Sequence, residues 1–206
     1  MSVVVGIKKD GVVYLGADSQ SSRGGTRTSL SNPNNYKIWK VKGVSNCLMG
    51  HVGALRDACV VRIMRNLVRE IDAIHEEVDY EYVVSRIVPM IVDELKEYSY
   101  IEKSGKLEIL DSRFLFAFKD HLYVIGNDTT VIEIDDCVAI GSGESEAIGS
   151  LLTSSDEENP HNRIVKAIKA SAAHDIYVDY PIVTSDTLNM EFEVITETNI
   201  NEFIKS

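Results

Sequence analysis

The chain opens on two short apolar runs separated by a turn, and this opening constrains the fold more than any later segment. Ser2–Ile7 is β-branched and apolar, Asp10-Gly11 marks a turn, and Val12–Ala17 resumes the apolar run. The pair reads as a β-hairpin whose first strand starts at the chain terminus. From Ser19 to Asn35 the sequence turns polar, rich in Ser, Gly, Thr and Asn, and reads as a long loop; such loops are functional or mobile.

Beyond the loop, Tyr36–Val41 alternates, with Tyr36, Ile38 and Lys40 on one face and Lys37, Trp39 and Val41 on the other. Cys47–Met49 is a further short strand. The period then changes: Val60, Val61, Met64, Leu67, Val68, Ile71 and Ile74 make a helical stripe, predicting a helix from Ala54 to about Ile74. A second helix is predicted over Tyr82–Tyr98, kinked at Pro89. Strands follow at Arg113–Phe118, Leu122–Ile125, Val131–Ile134 and Val138–Ile140. Then come a short helix after Gly141-Ser142-Gly143, a helix over Pro160–His174 and a last strand over Glu191–Thr196. Grouped strands and helices of this kind predict an α+β sandwich with largely antiparallel sheets. No repeat, low-complexity tract or linker divides the 206 residues, so one domain over 1–206 is expected.

Charge excludes one class of partner. The formal net charge is −11 and the basic residues are scattered, which argues against a nucleic-acid partner that would need clustered Lys and Arg. No apolar run approaches the roughly 18–20 residues of a membrane helix, and Lys8, Lys9 and Asp10 end the opening run too early for a signal peptide. Cys47, Cys59 and Cys137 lack metal-ligand spacing and read as buried thiols of a reducing compartment. The expected location is cytoplasmic.

Met1 precedes Ser2, whose small side chain permits removal of the initiator methionine. An N-terminal Ser carries its own base: a free α-amino group has a pKa of about 7.7–8.0, near the working pH that suits a general base. Such a residue activates its own hydroxyl without a histidine. No His-Glu-x-x-His motif or Gly-x-Ser-x-Gly elbow offers another chemistry, and the five histidines show no ligand spacing. Gly141-Ser142-Gly143 lacks the third glycine of a dinucleotide loop, Glu146 standing in its place.

The order of several blocks adds to this. Ser2-Val3-Val4-Val5-Gly6-Ile7, Asp10-Gly11-Val12-Val13 and Gly16-Ala17-Asp18-Ser19 are followed by Tyr36-Lys37-Ile38-Trp39-Lys40-Val41 and Gly50-His51-Val52-Gly53-Ala54-Leu55-Arg56-Asp57. Ala139-Ile140-Gly141-Ser142-Gly143 and Ala172-Ala173-His174-Asp175 complete the set. In this order the chain resembles proteasome β subunits and HslV-type peptidases, from residue 2 to about residue 175. The resemblance implies a four-layer αββα sandwich, two antiparallel sheets between helix layers, as in N-terminal-nucleophile hydrolases.

It also implies roles. Ser2 would be the nucleophile and its amine the proton acceptor. Lys37 would favour the neutral amine and stabilise developing negative charge, and Asp18 would hold Lys37. The Gly50 N–H would form the oxyanion hole, Ser142 would bond near the terminal amine, and Asp175 would orient that network. Ser22, Gly50 and Val52 would offer backbone contacts to an extended polypeptide. Leu48 and Val52 would line the pocket before the cut, predicting cleavage after apolar residues. His51, beside Gly50, reads as a structural or exposed residue, with a place in the cleft as the alternative. The resemblance further implies a homo-oligomeric ring, fed with unfolded polypeptide by an ATP-driven unfoldase ring, and no cofactor for hydrolysis. The other reading is a catalytically inactive subunit of the same fold, serving as a ring or binding component; a weaker third is an amidase acting on small amides.

Three features depart from the family pattern: Ser replaces the usual Thr, losing a methyl that restricts the rotamer; the Asp18–Lys37 stretch is longer, leaving Lys40 as a competitor to Lys37; and Met1, if retained, would block the amine of Ser2.

Overall fold

The computed structural model describes residues 2–64, 78–99, 101–104, 107–154 and 158–204. The opening hairpin is β1 (Val3–Lys9) and β2 (Val12–Ala17). The polar stretch that reads as a loop is folded: β3 (Gln20–Arg23) pairs with β4 (Thr26–Ser29) across Gly24-Gly25, and a 3-10 turn spans Pro33–Asn35. Both hairpin strands are polar and largely exposed, so no apolar period announces them. Next come β5 (Ile38–Lys40) and β6 (Cys47–Gly53), then helix α1 (Leu55–Arg62). The stripe residues Leu67, Val68, Ile71 and Ile74, expected to continue this helix, lie outside the described residues.

A turn of α-helix (Tyr80–Tyr82) and a π-helical turn (Val83–Ile87) lead into α2 (Val88–Tyr98). The π turn falls just before Pro89, which lacks the N–H that an α-helix would require there; the widened turn takes up that defect in place of a sharp break. The chain continues through β7 (Ile101–Ser104), β8 (Leu107–Leu110), β9 (Ser112–Phe118), β10 (His121–Ile125), β11 (Val131–Glu133) and β12 (Cys137–Gly141). Helices α3 (Glu144–Thr153) and α4 (Pro160–Ala172) follow, then β13 (Ile182–Asp186), β14 (Glu193–Ile195) and the short α5 (Ile200–Phe203).

Two five-stranded sheets, ordered β12-β1-β2-β13-β14 and β11-β10-β9-β6-β5, form the centre. Every pairing within them is antiparallel. Alternation along β1 divides its side chains between two cores. Val3, Val5 and Ile7 pack with Ile164, Val165 and Ile168 of α4, whereas Val4 faces Ile38, Leu48, Leu115 and Leu122 of the other sheet. A third core joins Trp39, Met49, Phe114, Phe116 and Tyr123 to Val60, Val61, Ile91 and Leu95 of α1 and α2. Helices cover both outer faces of the paired sheets: an α+β sandwich of four layers, αββα. Each fully buried Val, Leu, Ile or Phe contributes about 1.5–3 kcal/mol, so β1, buried on both faces, is the strand the fold least tolerates losing.

The cysteines differ from expectation: all are free, but only Cys47 is buried, Cys59 being exposed and Cys137 half-buried. Among the described residues, no helix is long and apolar enough to cross a membrane.

Candidate active site

Ser2 stands at the start of β1, buried, with Asp18 just past the end of the neighbouring β2. The Ser2 backbone N–H donates to Ser142 Oγ at 3.1 Å, and the Ser2 carbonyl accepts from the Ser142 N–H at 2.8 Å. This contact is close because Gly141 ends β12 at φ +121°, where a Cβ would lie 2.0 Å from the Ser2 carbonyl oxygen. The glycines around Ser142 therefore let the chain press against the Ser2 backbone.

Lys37 reaches the same place from the entry to β5. Its Nζ donates to Asp18 Oδ1 at 2.7 Å, and the two side chains are 3% and 0% exposed. Asp18 also accepts the Val3 N–H on Oδ1 and the Gln20 N–H on Oδ2, each at 2.9 Å. Burial pushes the Asp18 carboxyl up, while the Lys37 ammonium and those backbone donors pull it back down. Burial likewise lowers Lys37, against the opposing pull of Asp18 and, more weakly, of Asp175. Lys40 is not a competitor: its Nζ lies over the Phe192 ring, 5.4 Å from the centroid, on an exposed side chain.

Asp175 sits in the turn after α4. Its Oδ1 accepts the Tyr177 N–H at 2.8 Å, and Oδ2 is buried with no hydrogen-bond partner among the described residues. Its tie to the centre is thus its charge near Lys37 and not a hydrogen bond to Ser142. A cleft of about 610 Å³ opens over Ser2 and Lys37, walled by the β3 segment Gln20–Arg23, by His51 and Gly53, by the start of α1 and by Asp111. Ser22 lines it, and its Oγ accepts from Gln20 Nε2 at 2.7 Å.

Gly50 and Leu48 are misplaced by the sequence reading. The His51 N–H donates to the Lys37 carbonyl at 2.9 Å, which fixes the edge of β6 that faces β5. Strand alternation turns the Gly50 N–H to the opposite edge, toward its β9 partner Leu115. Gly50 is a glycine for packing: a Cβ there would come within 2.7 Å of Val4 Cγ1. By the same alternation the Gly53 N–H points to the β5 edge, beyond the end of that strand, and Gly53 lines the cleft. Its φ is +121°, and a Cβ would meet the Asp111 carbonyl oxygen at 2.2 Å. Leu48 is fully buried between the sheets, so it cannot line a pocket. Val52 belongs to the same core and borders a neighbouring cavity of about 500 Å³ with Gly53, Asp111 and Ser142.

His51 is buried and forms part of the cleft wall. Its Nε2 lies 3.0 Å from Ser112 Oγ, and Ser112 donates to Asp57 Oδ2 at 2.6 Å. The Ser112 hydrogen being committed to Asp57, the hydrogen between His51 and Ser112 belongs to His51 Nε2. The Ser99 hydroxyl bonds the other Asp57 oxygen. Burial first, then Lys37, lowers His51 to about 3, so it stays neutral in the working range. Neither Gly53 nor this chain of bonds could be found from sequence spacing, since Ser112 lies 61 residues from His51.

Several solved structures share this architecture. Thiobacillus denitrificans BPH matches with a TM-score of 0.71 and 19% identity, over 95% of this chain and 99% of that one. The same organism's BPH in complex with epoxomicin gives 0.68 and 21%, over 89% and 97%. Eukaryotic HslV from Trypanosoma brucei gives 0.64 and 16%, over 89% and 98%. At these identities the likeness is one of fold. No curated protein matches the chain. The proteasome subunit model matches residues 2–179, and the chain belongs to that family.

Proposed function

We propose that this chain is a peptidase subunit that cuts peptide bonds with Ser2 as an N-terminal nucleophile, exposed by removal of Met1. The observation that carries the reading is the buried Lys37–Asp18 pair at Ser2, on the floor of an open cleft. With the amine freed, it takes the Ser2 hydroxyl proton as Oγ attacks the scissile carbonyl carbon. Lys37 holds the amine neutral beforehand by like charge and stabilises the alkoxide as it forms. The Gly53 N–H, aimed into the cleft, receives the oxyanion; removing one such donor typically costs 100- to 1000-fold in rate (about 2.7–4 kcal/mol). The protonated amine then gives its proton to the leaving amine, and water, activated by the same base, releases the acyl group from Ser2.

Ser142, bonded to the Ser2 nitrogen, and Asp175, near Lys37, are positioning residues in this scheme. An extended polypeptide lies along β3, with Ser22 and Gly53 as backbone contacts. Epoxomicin, bound by Thiobacillus denitrificans BPH, is a suitable probe of the same cleft. Ring assembly, feeding by an ATP-dependent unfoldase and a cytoplasmic location are parts of the same reading, supported by family membership.

The test has two arms. Intact mass of the purified protein shows a chain beginning at Ser2, and Ser2→Ala abolishes hydrolysis of a fluorogenic peptide panel. A chain that keeps Met1 under all conditions, or a Ser2→Ala protein as active as its parent, overturns the proposal.

A further inference from the structure

The cleft over Ser2 carries charge of the opposite sign to the protein. The chain is at −11, yet the charged residues lining the cleft are Arg23, Lys37, Arg56 and Asp111. Lys37 is neutralised by Asp18, leaving two exposed guanidinium groups and one exposed carboxylate. Among the described residues no ion pair reaches Arg23 or Arg56, whereas Arg27, on the same hairpin as Arg23, is paired with Asp179 at 3.3 Å. Arg56 is also held in place: its Nε donates to the Tyr98 carbonyl at 2.8 Å, which leaves the two Nη groups for a ligand.

The two arginines come from different walls, Arg23 from the hairpin and Arg56 from the first turn of α1. Arg23 ends β3, and Ser22 and Arg23 also line a second cavity of about 560 Å³ beyond the hairpin. Asp111 lies at the other end against Gly53, where it also borders the cavity that contains Ser142. The two arginines outnumber Asp111, so a substrate carboxylate is on balance attracted into the cleft. Beyond these the wall is mostly polar, with Gln20, Ser21, Ser22 and the neutral His51, and among the described residues Leu55 is its one large apolar side chain.

We infer that the Ser2 cleft selects peptides bearing an acidic side chain close to the cut bond, held by Arg23 and Arg56 in place of the apolar residue the sequence suggests. This rests on the peptidase reading for the identity of the ligand, but the selectivity concerns binding alone. Guanidinium matches a carboxylate with two parallel hydrogen bonds, which an amide or an ammonium cannot reproduce. Removing the interaction should therefore cost about tenfold or more in affinity.

The experiment uses the full chain carrying Ser2→Ala and fluorescent peptides identical except for Glu, Gln or Lys, placed in turn at each central position. Anisotropy should show the Glu peptide binding about tenfold tighter than Gln at one or two adjacent positions, with Lys weaker still. The preference should shrink as salt is raised. Arg23→Glu, a change on an exposed side chain, should invert the ranking, and Arg56→Gln should reduce it. Equal binding of the three peptides at every position, or an unchanged ranking in Arg23→Glu, overturns the inference. If Glu peptides bind selectively but the parent protein never hydrolyses them, the peptidase reading fails and the selectivity stands. If the three peptides bind alike and the parent cuts them all, the reverse holds.

Discussion

Replacing Asp18 by Asn tests the physical heart of the site, because it removes a charge and almost no volume. Lys37 and Asp18 are 3% and 0% exposed, so solvent cannot screen or replace the lost partner. Removing one member of a buried ion pair costs about 3–5 kcal/mol, because the other charge is left uncompensated. For a chain of this length, 1 kcal/mol corresponds to roughly 2–4 °C, so Tm should fall by roughly 6–20 °C. Replacing both residues, Asp18→Asn with Lys37→Met, removes the stranded ammonium and should recover most of that loss, while peptide hydrolysis stays absent in both. Sign and pH supply a further check. Burial already lowers Lys37 against the pull of Asp18; without Asp18 its folded pKa falls further below the unfolded one. Between those two values the unfolded chain binds more protons, so stability rises with pH there. The deficit of Asp18→Asn should therefore shrink as pH rises toward the ordinary lysine value of about 10.4. Thermal unfolding followed by circular dichroism measures all three proteins. A single variant within about 2 °C of its parent, or a double variant as unstable as the single, refutes the reasoning.

Other consequences can be measured separately. Ser112→Ala unties His51 from Asp57 beside the Gly53 N–H and should lower kcat about tenfold with KM little changed; a pure KM effect would argue for a role in binding. His51 is held near 3, well below its ordinary 6.5; the unfolded chain therefore gains a proton as pH falls below that value, and stability drops by up to about 1.4 kcal/mol per pH unit. His51→Gln should flatten that acid-side decline in urea titrations. Arg62 bonds the carbonyls of Asn34 and Tyr36 and lies 4.9 Å from the Trp39 ring centroid, fastening the segment that delivers Lys37 to the end of α1. Arg62→Ala should cost about 3 kcal/mol, and Arg62→Lys should restore little, since an ammonium cannot span both carbonyls.

What the sequence disclosed and what it hid have a common physical cause. Strands and helices whose apolar residues face a core are visible because burial sets their spacing: Val3, Val5 and Ile7 against α4, or Ile91 and Leu95 against the second sheet. β13 escaped notice although it lies inside a sheet, because its buried Thr184, Ser185 and Asp186 read as polar. Thr184 and Asp186 are satisfied by hydrogen bonds: Thr184 Oγ1 meets His161 Nδ1 at 3.0 Å, and Asp186 accepts N–H groups from Leu188 and Asn189 in the turn just beyond the strand. The β3–β4 hairpin was hidden for the opposite reason, having no buried face to leave a period. Around the cleft, Ser2, Asp18 and Lys37 are legible as residue types in order, but which glycine N–H faces the cleft is not. Gly50 and Gly53 stand on one strand and differ by an odd number of residues, so their N–H groups leave opposite edges. Only the pairing partner decides which edge faces Ser2, and that partner, Lys37 bonded to His51, is a property of the sheet and not of the motif.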